Sequence, residues 1–286
     1  MNIFCSTGGF KFESVLDVSS NYMKQGIDNL ELSSGAYVEN IYKEIIKLSK
    51  SCNLMLHNYF PVPKIPFVLN LASINPEISK RSIEFIQNSI ELSSEVGSEF
   101  YAVHSGFLVD PDINELGKTI KQNNIVSRSS AMELFKSRVL ELSDFASERN
   151  VRLLVENNVL SKNNFHHNNG NILLLVDPEE IVNFMNEMGG KVGLLLDVGH
   201  LKVSSKTLGF DLIKSITLLN DITEGYHLSE NSGDSDDHKI FDNTAWFLEH
   251  IDKSKSFSTL EINDSSYSEI LKLSNWLSQF LVVNNA

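Results

Sequence analysis

The stretch that decides the fold covers residues 178–200 and reads PEEIVNFMNEMGGKVGLLLDVGH. In Pro178–Met188, apolar residues recur three or four positions apart, which predicts an amphipathic helix. Two glycines follow at the point where this helix must end. The short apolar run over 192–197 then predicts a buried strand that closes on Asp197. A helix, a glycine exit and a buried strand in this order are typical of parallel α/β folds.

The same order repeats along the whole chain. Eight short apolar runs predict strands, and each is followed by a segment that predicts a helix, most clearly over 79–95, 131–149 and 178–188. No linker rich in Pro, Gly or Ser interrupts the 286 residues. The sequence therefore predicts an α/β fold, a single (β/α)₈ TIM barrel with one domain over 1–286, rather than an open doubly wound sheet. The predicted strands lie at 2–5, 29–32, 54–57, 100–104, 151–156, 192–197, 225–228 and 256–261.

Composition narrows the class of protein. Charged residues make up 21% of the chain and the net charge is −13, which predicts an acidic surface without a basic nucleic-acid footprint. Cys5 and Cys52 lack CxxC spacing, so we expect neither a disulfide framework nor a thiolate metal site. The N-terminus has no secretion signal, and no apolar run approaches the roughly 20 residues of a membrane helix. These features predict a cytoplasmic protein outside the membrane, and a homo-oligomer is compatible with them.

Metal-ligating residue types close six of the eight predicted strands. In a barrel of this kind, the carboxyl ends of all strands meet at one mouth, so side chains far apart in sequence converge there. Each residue alone is more readily explained as a capping or surface residue, but the joint pattern predicts a common site. The six residues are His57, His104, Glu156, Asp197, His227 and Glu261.

Four of these residues predict a metal site. Glu156, Asp197, His227 and Glu261 offer three carboxylates and one imidazole, a set that suits Mn²⁺, Mg²⁺, Co²⁺ or Zn²⁺. Carboxylates that are buried beside one another repel, so such a cluster requires a cation to stay ionised. The sequence leaves open which of these metals binds and how many ions are present.

Three further residues lie close to these in the chain. His200 follows Asp197 by three residues, and Gly199 between them permits a tight turn. Asp236 and His238 lie in the connection after the seventh predicted strand. Together with His57 and His104, these residues are candidates for additional metal or substrate contacts. A solvated acidic loop over 233–237 explains Asp236 equally well.

Long connections follow the third, fourth and fifth predicted strands, over 58–75, 105–130 and 157–177. Loops on this face build the active sites of such barrels, so we expect them to determine the substrate. Asn58, Tyr59 and Phe107 are candidate substrate-binding residues, because aromatic faces pack on sugars and amides bond hydroxyls. The aromatic residues explain loop packing equally well. The Asn-rich stretch over 163–171 is interpreted either as a flexible polar loop or as a lid.

The order of these ligands resembles that of the xylose isomerase-like TIM barrel superfamily, which includes sugar isomerases, ketose 3-epimerases, inosose dehydratases and endonuclease IV-type AP endonucleases. The resemblance covers essentially the whole chain. It implies that Glu156, Asp197, His227 and Glu261 bind the metal. The resemblance to the isomerase and epimerase members further implies that Glu156 and Glu261 are the catalytic acid and base. The epimerase branch has an Arg shortly after the seventh-strand His, whereas LSENSGDSDDH, which follows here over 228–238, has none.

The endonuclease branch implies a trinuclear zinc site. Its additional ligands correspond here to His57, His104, His200, Asp236 and His238. Its DNA-binding loops carry Arg and Lys that grip phosphates, whereas the loops here read LELSSGAYVEN and HNYFPVPKIPFVLN, with one Lys between them.

Three functions follow as hypotheses. The first is a divalent-metal-dependent sugar or sugar-phosphate isomerase or epimerase that transfers a proton next to a carbonyl, with a small sugar as substrate. The second is an endonuclease IV-like AP endonuclease or phosphodiesterase with a polynuclear zinc site, although nucleic acid is the less favoured partner. The third is a barrel that binds carbohydrate without catalysis, which the retention of three costly acids disfavours.

Overall fold

In the computed structural model, which describes residues 1–10, 12–166 and 170–283, eight parallel strands close into a barrel. Each strand pairs with the next along the chain, and the first pairs with the eighth. The predicted single (β/α)₈ TIM barrel is confirmed, and every predicted strand is present with its ends within two residues. The strands are Asn2–Ser6, Asn29–Leu32, Asn53–His57, Phe100–His104, Arg152–Glu156, Gly193–Asp197, Thr223–Leu228 and Phe257–Leu260.

Helices cover the outside of the barrel. Predicted helix 178–188 has the expected bounds, whereas the helix predicted over 79–95 begins earlier, at Pro76. The reason is an unrecognised cap: the Asn75 side chain accepts the Glu77 and Ile78 amides, and proline suits the first helical turn. The helices are α1 (Val15–Lys24), α2 (Ile41–Leu48), α3 (Pro76–Glu95), α4 (Arg128–Ser147), α5 (Pro178–Met188), α6 (Val198–Leu208), α7 (Leu212–Asn220) and α8 (Tyr267–Val283).

The prediction that a helix follows every strand is wrong for the seventh strand. Two helices, α6 and α7, follow the sixth strand, and the fully described connection over 229–256 contains turns but no helix. Asp242 starts one of these turns, because its carboxylate accepts the Thr244 amide and hydroxyl. Phe247 and Leu248 bury their side chains against the core and so cover the barrel where a helix would otherwise lie.

The barrel interior determines which side chains reach the mouth. Six residues fill its centre, one from each of six strands: Phe4, Met55, Ala102, Leu154, Leu195 and Phe257. Side chains alternate between the two faces of a strand, so the residue two positions further along also points inward. By this rule Leu154 and Leu195 place Glu156 and Asp197 one layer above the apolar centre, at the carboxyl ends of their strands.

The loops after the fourth and fifth strands are tied together at the mouth. Asn164 accepts a hydrogen bond from the Ile120 amide and donates one to the Lys118 carbonyl. A short antiparallel hairpin pairs Phe165–His166 with Gly170–Asn171. The stretch over 163–171, interpreted as a flexible loop or a lid, includes residues 167–169, which lie outside the described residues. Within the described ranges, every helix is too short or too polar to cross a bilayer.

Candidate metal centre

The central group of side chains lies at the ends of the last four barrel strands. His227 Nδ1 lies 3.1 Å from Glu261 Oε2, 3.4 Å from Glu156 Oε1 and 3.8 Å from Asp197 Oδ2. Asp197 also caps helix α6, since its Oδ1 accepts the His200 amide over 2.7 Å, and this bond fixes the carboxylate. The group therefore brings together four ligand atoms within 4.8 Å of one another.

A lateral group shares Glu156 with the central group. Glu156 Oε2 lies 2.7 Å from His57 Nε2 and 3.2 Å from His104 Nε2, while its Oε1 faces His227. The rings of His57 and His104 stack with their centroids 5.2 Å apart, so both nitrogens approach the same oxygen. One carboxylate thus offers a different oxygen to each of two groups.

An outer group lies nearer the solvent. Asp236 Oδ2 lies 3.1 Å from His200 Nε2 and 2.8 Å from His238 Nε2. His200 is fixed by the bond from its Nδ1–H to the Asn157 carbonyl, 2.8 Å away, which leaves Nε2 unprotonated in the neutral ring. The connection after the seventh strand therefore carries Asp236 and His238 back over the mouth.

Several potential ligand atoms of the central and outer groups have no hydrogen-bond partner among the described residues. They are also almost completely buried, and buried polar atoms are rarely left unpaired in proteins. Carboxylate oxygens and imidazole nitrogens are suitable ligands for zinc and similar divalent ions. The central and outer groups therefore fit a divalent ion each. In the lateral group, His57 Nε2 and Glu156 Oε2 pair with each other over 2.7 Å, and an ion would replace this hydrogen bond. The unpaired atoms are Glu156 Oε1, Asp197 Oδ2, His227 Nδ1, Asp236 Oδ1 and His238 Nδ1.

Mutual electrostatics support the same interpretation. Burial disfavours the charged ring of His227, yet the carboxylates of Glu31, Glu156 and Glu261 raise its pKa well above the ordinary value. Burial likewise opposes ionisation of Glu156, but His104 and His227 lower its pKa to about 2. Burial raises the pKa of Asp197 to about 6. The extra proton on His227 therefore compensates these acids in the ion-free protein, a role that a divalent cation can take over. Burial lowers the pKa of His104 to about 4, so that ring is neutral at pH 7.

The six strand-end candidates and the three further candidates, His200, Asp236 and His238, all lie in these groups, but two supporting residues were missed. Glu31, in the second strand, is 1% exposed, and its Oε1 lies 3.0 Å from His227 Nε2. Asn157 holds the backbone of Asp197, because its side chain accepts the Asp197 amide and donates to the Asp197 carbonyl. Glu31 could have been found from the sequence, because it lies between Leu30 and Leu32 in a strand that was predicted to be buried. A buried acidic residue usually has a partner or a function.

A cavity of about 550 Å³ lies beside the candidate metal-ligating side chains, of which His104, His200, Asp236, His238 and Glu261 line it. The predicted substrate residues Asn58, Tyr59 and Phe107 all line it. Tyr59 also anchors its loop, because its hydroxyl accepts the Phe67 amide and its ring stacks on Phe85 at 5.5 Å. Loop packing by Tyr59 is therefore confirmed, and its contact with a substrate stays a prediction. Among the described lining residues, Lys118 is the single Lys or Arg.

Comparisons with known proteins agree with the architecture. The uncharacterized protein MJ1311 of Methanocaldococcus jannaschii is 24% identical over 225 residues, which cover 76% of this chain and 68% of that protein. The crystal structure of a D-tagatose 3-epimerase-like protein superposes with a TM-score of 0.73 at 20% identity, covering 100% of this chain and 98% of that one. The TTHB071 protein from Thermus thermophilus, soaked with ZnCl₂, superposes with a TM-score of 0.61 at 16% identity, covering 98% of this chain and 99% of that one.

The similarity in sequence extends over most of the barrel. A family model described as xylose isomerase-like TIM barrel matches residues 26–274. That range includes seven of the eight strands and all nine residues of the three groups. The chain belongs to the xylose isomerase-like TIM barrel family.

Proposed function

We propose that this protein is a metal-dependent phosphoester hydrolase with a polynuclear centre. The observation that carries the proposal is the position of Glu156, whose Oε1 faces the central group and whose Oε2 faces the lateral group. A carboxylate in this position can bridge two ions. Paired ions about 4 Å apart are a common device for displacement at phosphorus. The outer group adds a third site, which a single-ion isomerase does not require.

The chain's own residues would divide the work as follows. Bound divalent ions would polarise phosphoryl oxygens and lower the pKa of a water molecule near its attack position. Glu156 would hold the central and lateral ions at a fixed separation. Asp236 and His238, which both line the cavity, would hold the outer ion beside the bound substrate. The apolar wall, which includes Tyr59 and Phe107, would orient the rest of the substrate and exclude water.

The cavity supports a small substrate rather than a nucleic acid. Its volume of about 550 Å³ matches a small metabolite. Lys118 is the one Lys or Arg in its described lining, whereas proteins that bind nucleic acid engage several phosphates with basic side chains. The net charge of −13 also disfavours a polyanion. We therefore propose a phosphorylated small molecule, with sugar phosphates as the first class to test.

Metal content and hydrolysis test the proposal together. Mass spectrometry of the protein loaded with Zn²⁺ or Mn²⁺ should give between two and three ions per chain. The loaded protein should hydrolyse bis(4-nitrophenyl) phosphate or a sugar phosphate, and Glu156→Gln should abolish this activity. Glu249→Gln changes an exposed glutamate outside the mouth and serves as the matched control. A single bound ion, or no hydrolysis by the fully loaded protein, would overturn the proposal. Cleavage of an abasic duplex instead would overturn the small-molecule assignment.

A sugar isomerase or epimerase is the second candidate. The central group favours it, since Glu156 and Glu261 both belong to this group of four potential ligands, and two carboxylates beside one ion could act as acid and base. The structural similarity to the D-tagatose 3-epimerase-like protein also favours this second candidate. The absence of Arg over 228–238 weighs against the epimerase branch. Incubation of ketoses and ketose phosphates in D₂O with the one-ion protein tests it, since proton transfer at carbon would introduce deuterium visible by NMR.

A further inference from the structure

Glu31 lies behind His227, on the opposite side of the ring from the other ligands. Its two carboxylate oxygens lie 3.0 and 3.1 Å from His227 Nε2. The other ring nitrogen, Nδ1, faces Glu261 and Glu156. Both residues are almost completely buried, His227 with 0% and Glu31 with 1% exposure. The ring therefore has one nitrogen for an ion and one for Glu31.

The chemistry of imidazole assigns a role to this contact. A neutral ring has one unprotonated nitrogen and one N–H, so coordination through Nδ1 places the proton on Nε2. A buried N–H requires an acceptor, and the carboxylate of Glu31 lies within hydrogen-bond distance of Nε2. A carboxylate in this position fixes the ring orientation and increases the basicity of the coordinating nitrogen. We propose that Glu31 is a positioning residue that holds His227 for the central ion. The inference depends on the proposed metal centre.

The surroundings of Glu31 fit this role. Thr259, on the eighth strand, donates its hydroxyl to Glu31 Oε2 over 2.8 Å and so fixes the carboxylate. Glu31 Oε1 also lies 3.9 Å from His57 Nδ1, and the Nε2 of that ring faces Glu156. One buried carboxylate thus lies behind imidazoles of both the central and the lateral group. We expect its removal to affect the central ion most, because the contact with His57 is longer than a hydrogen bond.

A different role for Glu31 makes a different prediction. Glu31, His57 and His227 also form a cluster of three potential ligands within 4.8 Å, which could hold a further ion. In that case His227 would have to coordinate through both nitrogens at once, and the ring would have to lose its second proton as well. We therefore expect Glu31 to accept a hydrogen bond rather than bind an ion.

Metal binding in Glu31 variants tests the inference without a substrate. Zn²⁺ affinity would be measured by competition with a chromogenic chelator, and the visible spectrum of the Co²⁺-loaded protein would report the ligand field. Glu31→Ala should weaken the binding of one ion by about 10- to 100-fold, the range for loss of such a partner. Glu31→Gln should weaken the binding of this ion by a smaller factor, because the glutamine amide oxygen can still accept the Nε2–H of His227. Ser258→Ala is the matched control, since Ser258 is also buried but its hydroxyl has no hydrogen-bond partner within the described ranges.

The possible outcomes separate the alternatives. Wild-type affinity and an unchanged Co²⁺ spectrum in Glu31→Ala would overturn the inference. Loss of one whole ion equivalent from both Glu31 variants would identify a ligand and overturn it as well. Thr259→Val covers the case in which the Glu31 variants fail to fold, and it should weaken the same ion by a smaller factor. A wild-type protein that binds its ions but hydrolyses no phosphoester would refute the proposed reaction and leave the role of Glu31 intact.

Discussion

His200 donates its Nδ1–H to the backbone carbonyl of Asn157 over a distance of 2.8 Å. Asn157 follows the last residue of the fifth strand, so the barrel itself sets the orientation of this ring. The arrangement leaves Nε2 as the ligand atom, 3.1 Å from Asp236. A ring held in this way is part of a preformed site, because its orientation is fixed before an ion arrives.

Replacement of His200 should remove one ion and leave the others. We expect His200→Asn to lose the outer ion, because that group then retains Asp236 and His238 alone. Metal analysis should show about one equivalent less than the wild type. His250→Asn is the control, since His250 lies in the connection over 229–256 and outside the three groups. Retention of every ion by His200→Asn would exclude the outer site.

Replacement of Glu156 should have a larger effect than replacement of any other ligand. Its oxygens face two groups, so Glu156→Gln weakens the central and lateral ions together. We expect a loss of between one and two ion equivalents, compared with one or fewer for Glu261→Gln. Titration with Zn²⁺ followed by calorimetry would measure both. If Glu156→Gln and Glu261→Gln lose the same number of ions, Glu156 does not bridge the central and lateral ions.

Ion binding should release protons and become tighter as the pH rises. Burial disfavours a charged His238, but Glu261 and Asp236 raise its pKa to about 9. The ring of His238 therefore carries its extra proton at neutral pH in the ion-free protein. An ion that coordinates this ring must displace that proton. Calorimetry in buffers with different ionisation enthalpies should show net proton release. Affinity that is independent of pH between 7 and 9 would contradict this prediction.

Removal of the ions should lower the stability of the protein. Each ion present at about 100 times its dissociation constant adds about 2.7 kcal/mol to the free energy of unfolding. A chelator should therefore decrease Tm, and replacement of the ions should restore it. In the chelated protein, the raised pKa of His238 contributes stability that is complete below its unfolded pKa and is lost as the pH rises through about 9. The loaded protein should lack this contribution, which thermal unfolding between pH 6.5 and 9.5 would show.

The packing of the barrel centre yields a prediction that is independent of metals. A Cβ atom at Gly225 would lie 2.3 Å from the Phe257 ring, so this glycine makes room for the aromatic side chain. We expect Gly225→Ala to destabilise the protein by about 1–3 kcal/mol through overpacking. In a Phe257→Leu background the same substitution should cost less. Urea unfolding of the two single variants and the double variant would measure this coupling, and additive effects would contradict the packing argument.

The candidate residues at the strand ends could be predicted from the sequence. Side chains alternate between the two faces of a strand, and the carboxyl ends of all strands meet at one mouth of the barrel. Glu156 and Asp197 end their strands and His227 is one residue from the end of its strand, so the strand period places these side chains inside the barrel mouth independently of the loops. The absence of a helix after the seventh strand could not be predicted. Local turns in that connection are stabilised by the burial of Phe247 and Leu248, which depends on neighbouring elements.

The sequence by itself determined the eight strands, their closure into a barrel and the residue types at its mouth, because hydrophobic periodicity is a local property of the chain. Only the tertiary structure decided how these candidate ligands divide into groups. The two oxygens of Glu156 face different imidazoles, and Asp236 meets His200 across a long connection. Glu31 acquires its role only through contact with His227, 196 residues away. Such contacts depend on side-chain torsions and loop paths, which packing of the whole molecule fixes.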